Sequence, residues 1–212
     1  MADTERAPLE TPPPLDEWAV PRNGAVPSLT FVAPAGCREA QEQPNSSTTP
    51  PATNGGLLLI FPGGGYRKVE LEKEGCATAR IFAAKGFVCC VADYQLSPFG
   101  TLSVRAATAA PSLADAIAAL EFVQGNPASG VGRLYEASKV ALCGFSAGGH
   151  LALLLLRELG RRATGQQPGA GAPEPEPEPE LTTPSAPPVA ALLLVYPTIR
   201  NPCCWCIAGG LW

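Results

Sequence analysis

Four short apolar runs set the limits on what this chain can fold into. They are residues 57–61 (LLLIF), 87–92 (FVCCVA), 139–143 (KVALC) and 189–196 (VAALLLVY). A strand with one wet face alternates apolar and polar residues. A nearly charge-free run of this length is instead expected to be buried on both faces, as in a parallel sheet. Between the runs lie helix-like stretches. Residues 70–84 carry charge first and small apolar residues later, with Gly86 placed as a C-terminal stop. In the next stretch Leu113, Ile117 and Leu120 form one face. Ser112, with Asp115 three residues on, reads as its cap, and Gly125-Asn126-Pro127 ends it. A helix from Leu151 to Leu159 follows, apolar almost all round to Leu156, so deep burial is expected. Strands alternating with helices predict an α/β domain of three layers, a mostly parallel sheet with helices on both faces.

The third run leads directly into Gly144-Phe145-Ser146-Ala147-Gly148-Gly149 and then a helix. Strand, Gly-x-Ser-x-Gly, helix is the layout of a nucleophile elbow, a sharp turn that lifts a serine hydroxyl above the sheet. Gly144 and Gly148 suit a strained turn where side chains would meet the neighbouring strand and helix. The first run ends in Pro62-Gly63-Gly64-Gly65-Tyr66. Such a turn is either a plain tight connection or a row of amides open to a ligand. A phosphate-binding loop is disfavoured, since no Gly-x-Gly-x-x-Gly and no Gly-Lys-Ser/Thr is present.

Taken in order, the Pro62–Tyr66 turn, Glu74-Gly75, Asp93-Tyr94-Gln95-Leu96 and Gly144 to His150 resemble the α/β-hydrolase superfamily. Within it they resemble the acetyl-esterase/lipase-like branch, with its acetylxylan- and feruloyl-esterase-like members. The resemblance covers residues 27–200 and implies a serine carboxylic-ester hydrolase acting on a small ester, with small acyl groups such as acetyl. It implies Ser146 as nucleophile and the amides of Gly63, Gly64, Gly65 and Ala147 as oxyanion donors. Gly144, Gly148, Gly149 and His150 would be structural parts of the elbow. No cofactor is implied.

The triad order in this fold is serine, then acid, then histidine. The chain's one histidine is His150, four residues past Ser146, and the acidic residues after the elbow are Glu158 and the four of 174–180. General base and acid are therefore unassigned. After Pro197 the family would continue with a cap region, further strands and the loops bearing acid and histidine; the sequence here runs into a Cys/Trp-rich tail, 201–212, unlike the family. The expectation is a domain cut short at its C-terminus. Two other readings stay open: a triad-deficient binding or regulatory protein, and a fragment that does not fold stably.

Composition narrows the remaining classes. A net charge of −4 owes most to Glu174, Glu176, Glu178 and Glu180, so no basic patch points to nucleic acid. Prolines crowd residues 1–26, expected to be a loosely ordered lead-in, and residues 163–188, expected to be a disordered Pro/Glu insert open to a protein partner. Residues 36–55 read as a loop. No secretory pattern opens the chain and no apolar run has membrane-spanning length. The eight cysteines then read as reduced thiols in a cytoplasmic protein. Cys89, Cys90 and Cys143 read as core residues, while Cys203, Cys204 and Cys206 lack the spacing of a zinc site or a prenylation box.

Overall fold

The computed structural model describes residues 13–42, 53–96, 111–125, 134–165 and 189–195. The Pro/Glu run of 173–180 and the tail 201–212 lie outside them. The strands are β1 (Leu15–Val20), β2 (Ser28–Pro34), β3 (Leu57–Phe61), β4 (Val88–Asp93), β5 (Val140–Phe145) and β6 (Ala191–Val195). The helices are α1 (Cys37–Glu42), α2 (Ala77–Ala83, entered through a π-helical turn at Leu71–Cys76), α3 (Pro111–Gly125) and α4 (Ala147–Ala163).

The six strands form one sheet in the order β1-β2-β4-β3-β5-β6. β3, β4, β5 and β6 run parallel, while β2 pairs antiparallel with both β4 and β1. The charge-free runs have the expected cause. Leu57, Leu59 and Phe61 enter one apolar cluster, and Leu58 and Ile60 enter the other. β4 divides the same way, with Val88 and Cys90 on one face and Cys89 and Val91 on the other. Strands with two buried faces have no room for a polar side chain. Leu113, Leu120, Leu151 and Leu155 of α3 and α4 pack on the first face, and Cys76, Ala79 and Ala83 of α2 and its entry turn on the second. This gives the three layers.

The chain turns to opposite sides of β3, first to β4 and later to β5. The crevice at the carboxyl ends of β3 and β5 is thus a topological switch point, where open α/β sheets place their ligands. Register brings those ends level, with Phe61 opposite Gly144 and Phe145 opposite Val195.

Five local expectations change. The lead-in read for residues 1–26 contains β1, whose Trp18 stacks on Phe31 with ring centroids 5.3 Å apart. Burial of that ring orders a segment whose prolines suggest a loop. The loop read for 36–55 contains α1, where Asp16 accepts the Arg38 N–H. Ser112 and Asp115 do not form a capping box. The Ser112 hydroxyl donates to the Gln95 carbonyl, and Asp115 accepts from the Gln95 N–H and from both terminal nitrogens of Arg22. Two buried polar side chains thereby fasten the segment after β4 to α3. In α4, Leu153 is 38% exposed, so the helix buries one side and not its whole circumference. Finally, the run read as one more buried strand is β6, the outermost strand on its side among the described residues, with Leu192 and Leu193 37% and 42% exposed.

Candidate active site

Ser146 stands between β5 and α4 with φ +48° and ψ −113°. A left-handed φ at a residue with a Cβ is strained and holds only where the surroundings enforce it. Here the Ser146 N–H donates to the Val195 carbonyl at 3.2 Å, and its own carbonyl accepts the His150 N–H at 3.1 Å. Gly148 packs the first turn of α4 against the end of β3. A Cβ there would overlap the Phe61 carbonyl oxygen and lie 2.5 Å from that of Pro62. The sequence of small residues is therefore a packing requirement between two turns.

The turn after β3 lies against this elbow. A Cβ on Gly63 would be 2.8 Å from the Phe145 carbonyl oxygen and 3.0 Å from Ser146 Cβ. Its polar groups are largely engaged. The Tyr94 hydroxyl donates to the Pro62 carbonyl at 2.6 Å. The Gly63 N–H donates to Glu74 Oε2 at 2.7 Å, and the Gly63 carbonyl accepts from the Glu70 N–H at 3.0 Å. The Gly64 carbonyl accepts the N–H groups of Arg67 and Lys68. Among the described residues, the Gly64 and Gly65 amides make no hydrogen bond. Ala147 is the first residue of α4, so its N–H has no helical carbonyl one turn back to meet it.

Of the four amides expected from sequence to serve as oxyanion donors, one already has a partner within the protein. Gly63 spends its N–H on Glu74, leaving Gly64, Gly65 and Ala147 as open donors. Sequence reasoning singled out Glu74-Gly75 for its resemblance but gave Glu74 no role, because a glutamate among Glu72, Lys73 and Lys68 reads as part of a solvated face. The adjoining Gly75 was the available signal.

His150 sits on α4 with Nδ1 2.9 Å from the Tyr66 hydroxyl, the two rings edge to face. Tyr66, itself at φ +57°, also packs edge-on against Tyr94. Burial lowers the His150 imidazole below its ordinary value and keeps the Tyr66 phenol protonated well past the usual tyrosine range. A neutral imidazole on a neutral phenol is the result. Asp93 closes β4, where burial raises its carboxyl and Arg22 partly offsets the rise.

The nearby thiols offer no rival nucleophile. Burial pushes Cys143 up to about 11 and Cys89 to about 12, so both stay protonated at neutral pH. Among the described residues, no group of three or more His, Cys, Asp or Glu side chains is placed to hold a metal ion. None of the described helices is long and apolar enough to cross a membrane.

The family model BD-FAE matches residues 49–162, a span that holds both turns, Glu74 and Ser146. The chain belongs to the BD-FAE family, an α/β-hydrolase-type esterase family. The mostly parallel open sheet of this BD-FAE domain is that of the α/β hydrolases. Among solved structures, the α/β hydrolase MGS-M1 from a Medee basin deep-sea metagenome library is 27% identical, over 65% of this chain and 49% of its own, with a TM-score of 0.46. A thermostable esterase from Pseudomonas putida ECU1011 is 20% identical over 74% of this chain and 41% of its own, TM-score 0.48. A hyperthermophilic esterase from the archaeon Pyrobaculum calidifontis is 20% identical over 73% and 42%, TM-score 0.48. The chain therefore spans less than half the length of each. No curated protein matches it.

Proposed function

We propose that the protein is a serine carboxylic-ester hydrolase for small esters, acetyl esters foremost, with Ser146 as nucleophile. The observation that carries this reading is the strained serine set against a turn with two open amides. Ser146 Oγ attacks the ester carbonyl, and the carbonyl oxygen takes the developing negative charge. The Gly64, Gly65 and Ala147 N–H groups receive it; one such donor is worth about 3–4 kcal/mol of barrier. The alkoxide then leaves with a proton, and water releases the acyl group from Ser146. The serine proton needs a base, which the family order places, with its acid, after the elbow. Residues 196–212 lie outside the described ones.

A second reading, a binding protein that accepts carbonyl ligands without turnover, is favoured by one observation: His150 already bonds Tyr66. One experiment separates the two. The full chain is treated with a fluorophosphonate and with p-nitrophenyl acetate, and adducts are located by peptide mass spectrometry. A hydrolase labels at Ser146, releases nitrophenolate repeatedly, and loses both in Ser146→Ala. Absence of label and turnover in the wild type would sink the hydrolase reading and leave the binding protein.

A further inference from the structure

The turn after β3 is built from three successive trans peptides, and each has its carbonyl fixed by a hydrogen bond. In a trans peptide the C=O and the following N–H point in opposite directions across one rigid plane. The Tyr94 hydroxyl holds the Pro62 carbonyl, the Glu70 N–H holds that of Gly63, and the Arg67 and Lys68 N–H groups hold that of Gly64. The Gly64 N–H then points away from Glu70, and the Gly65 N–H away from Arg67 and Lys68. The first plane is gripped at both ends, because the Gly63 N–H donates to Glu74 Oε2 at 2.7 Å.

The placement of Glu74 is itself built. The π-helical turn at Leu71–Cys76 is one residue wider than an α-turn, and the Glu70 carbonyl accepts from both Glu74 and Gly75. Gly75 lets that turn close on the sheet, since a Cβ there would lie 2.5 Å from Val91 Cγ1 and 3.1 Å from Pro62 Cγ. Glu70 and Glu74, one helical turn apart, thus hold the carbonyl and the amide of the same glycine. A carboxylate makes the stronger, charge-assisted kind of bond to an amide.

We propose that Glu74 is a positioning residue for ester hydrolysis. By capturing the Gly63 amide it locks the first peptide plane, and through it the two that follow, so that Gly64 and Gly65 face the carbonyl attacked by Ser146. This rests on the hydrolase reading of Ser146. Glu74 does not touch substrate; it sets the angle at which others do.

The test combines kinetics with a direct readout of the bond, in the full chain. Stopped-flow acylation by p-nitrophenyl acetate is measured for wild type, Glu74→Ala and Glu74→Gln. In parallel, 15N-glycine labelling follows the Gly63 amide resonance. The expected result is a downfield Gly63 amide that moves upfield in both variants. Acylation should slow about 10- to 100-fold in Glu74→Ala with KM little changed, and Glu74→Gln, which keeps an acceptor, should recover part of it. Should Glu74→Ala fail to fold, Glu74→Gln alone decides, by a smaller loss in the same direction. A shifted Gly63 amide with unchanged acylation would overturn the proposal, since the bond would then only satisfy a polar group. An unmoved Gly63 amide would overturn it as well. A wild type that neither acylates nor takes a fluorophosphonate fails at the hydrolase reading instead, and its Gly63 resonance tells the two failures apart.

Discussion

The turn after β3 and the turn after β5 lie side by side but are held by different means. The first is held by hydrogen bonds, two of them to side chains that reach in from elsewhere: Tyr94 from beyond β4, Glu74 from the turn before α2. The second is held by backbone alone: Gly144 and Gly148 let backbone meet backbone, and Ser146 bonds through its own N–H and carbonyl to the backbones of Val195 and His150. Bonds from side chains can be weakened by degrees. Contact between backbones admits no intermediate, because neither partner can rotate out of the way. The two are joined by the Tyr66–His150 hydrogen bond.

The difference should appear in stability. Gly148→Ala forces a methyl onto the Phe61 carbonyl, and the backbone must move. Overpacking at a site that cannot yield should cost about 3 kcal/mol or more, seen as a large fall in the urea midpoint or as insoluble protein. A Gly148→Ala protein as stable as wild type would break the comparison. Tyr94→Phe removes one hydroxyl and leaves the Pro62 carbonyl without it. The expected loss is about 1–2 kcal/mol with the fold intact, measured by the same titration. The smallest effect concerns the link between the turns, because His150 is only half-buried. Its pKa is lowered by burial, so the unfolded chain binds the proton more readily. The stability this contributes is fully present above the ordinary histidine value, near 6.5, and is lost as pH falls through it toward the lower folded value. Urea midpoints at pH 7.5 and 5.5 should therefore fall further for wild type than for His150→Gln. An equal fall in both would remove His150 from the account.

How far these features were legible in the sequence depends on how local their causes are. β3, β4 and β5 could be read because burial on both faces leaves a charge-free run, and no other element explains LLLIF followed by Pro-Gly-Gly-Gly. The Gly-Phe-Ser-Ala-Gly pattern was legible for a similar reason, since its glycines answer to close contacts within and beside the turn. β1 was hidden because its order comes from a distance: Trp18 on Phe31, and Glu17 on Arg80 at 2.5 Å. β6 was misjudged because apolar periodicity says what a strand is made of and not whether it has a neighbour on each side. Ser112 and Asp115 match a capping pattern, yet the Gln95 backbone competes for both and wins. The engagement of Gly63 had the same obstacle. Nothing in a row of three glycines tells which amide is already taken.

The Val195 carbonyl that accepts the Ser146 N–H belongs to the last of the described strands. A growing chain delivers the serine from the ribosome well before it delivers that carbonyl. In the interval the elbow has its glycines and its neighbouring turn, but its amide can bond only to water. The strained serine of the site is thus fastened only after β6, the last of the described strands, has followed it out. A nascent chain still holding residues 191–195 in the exit tunnel carries the serine without the bond that sets its angle.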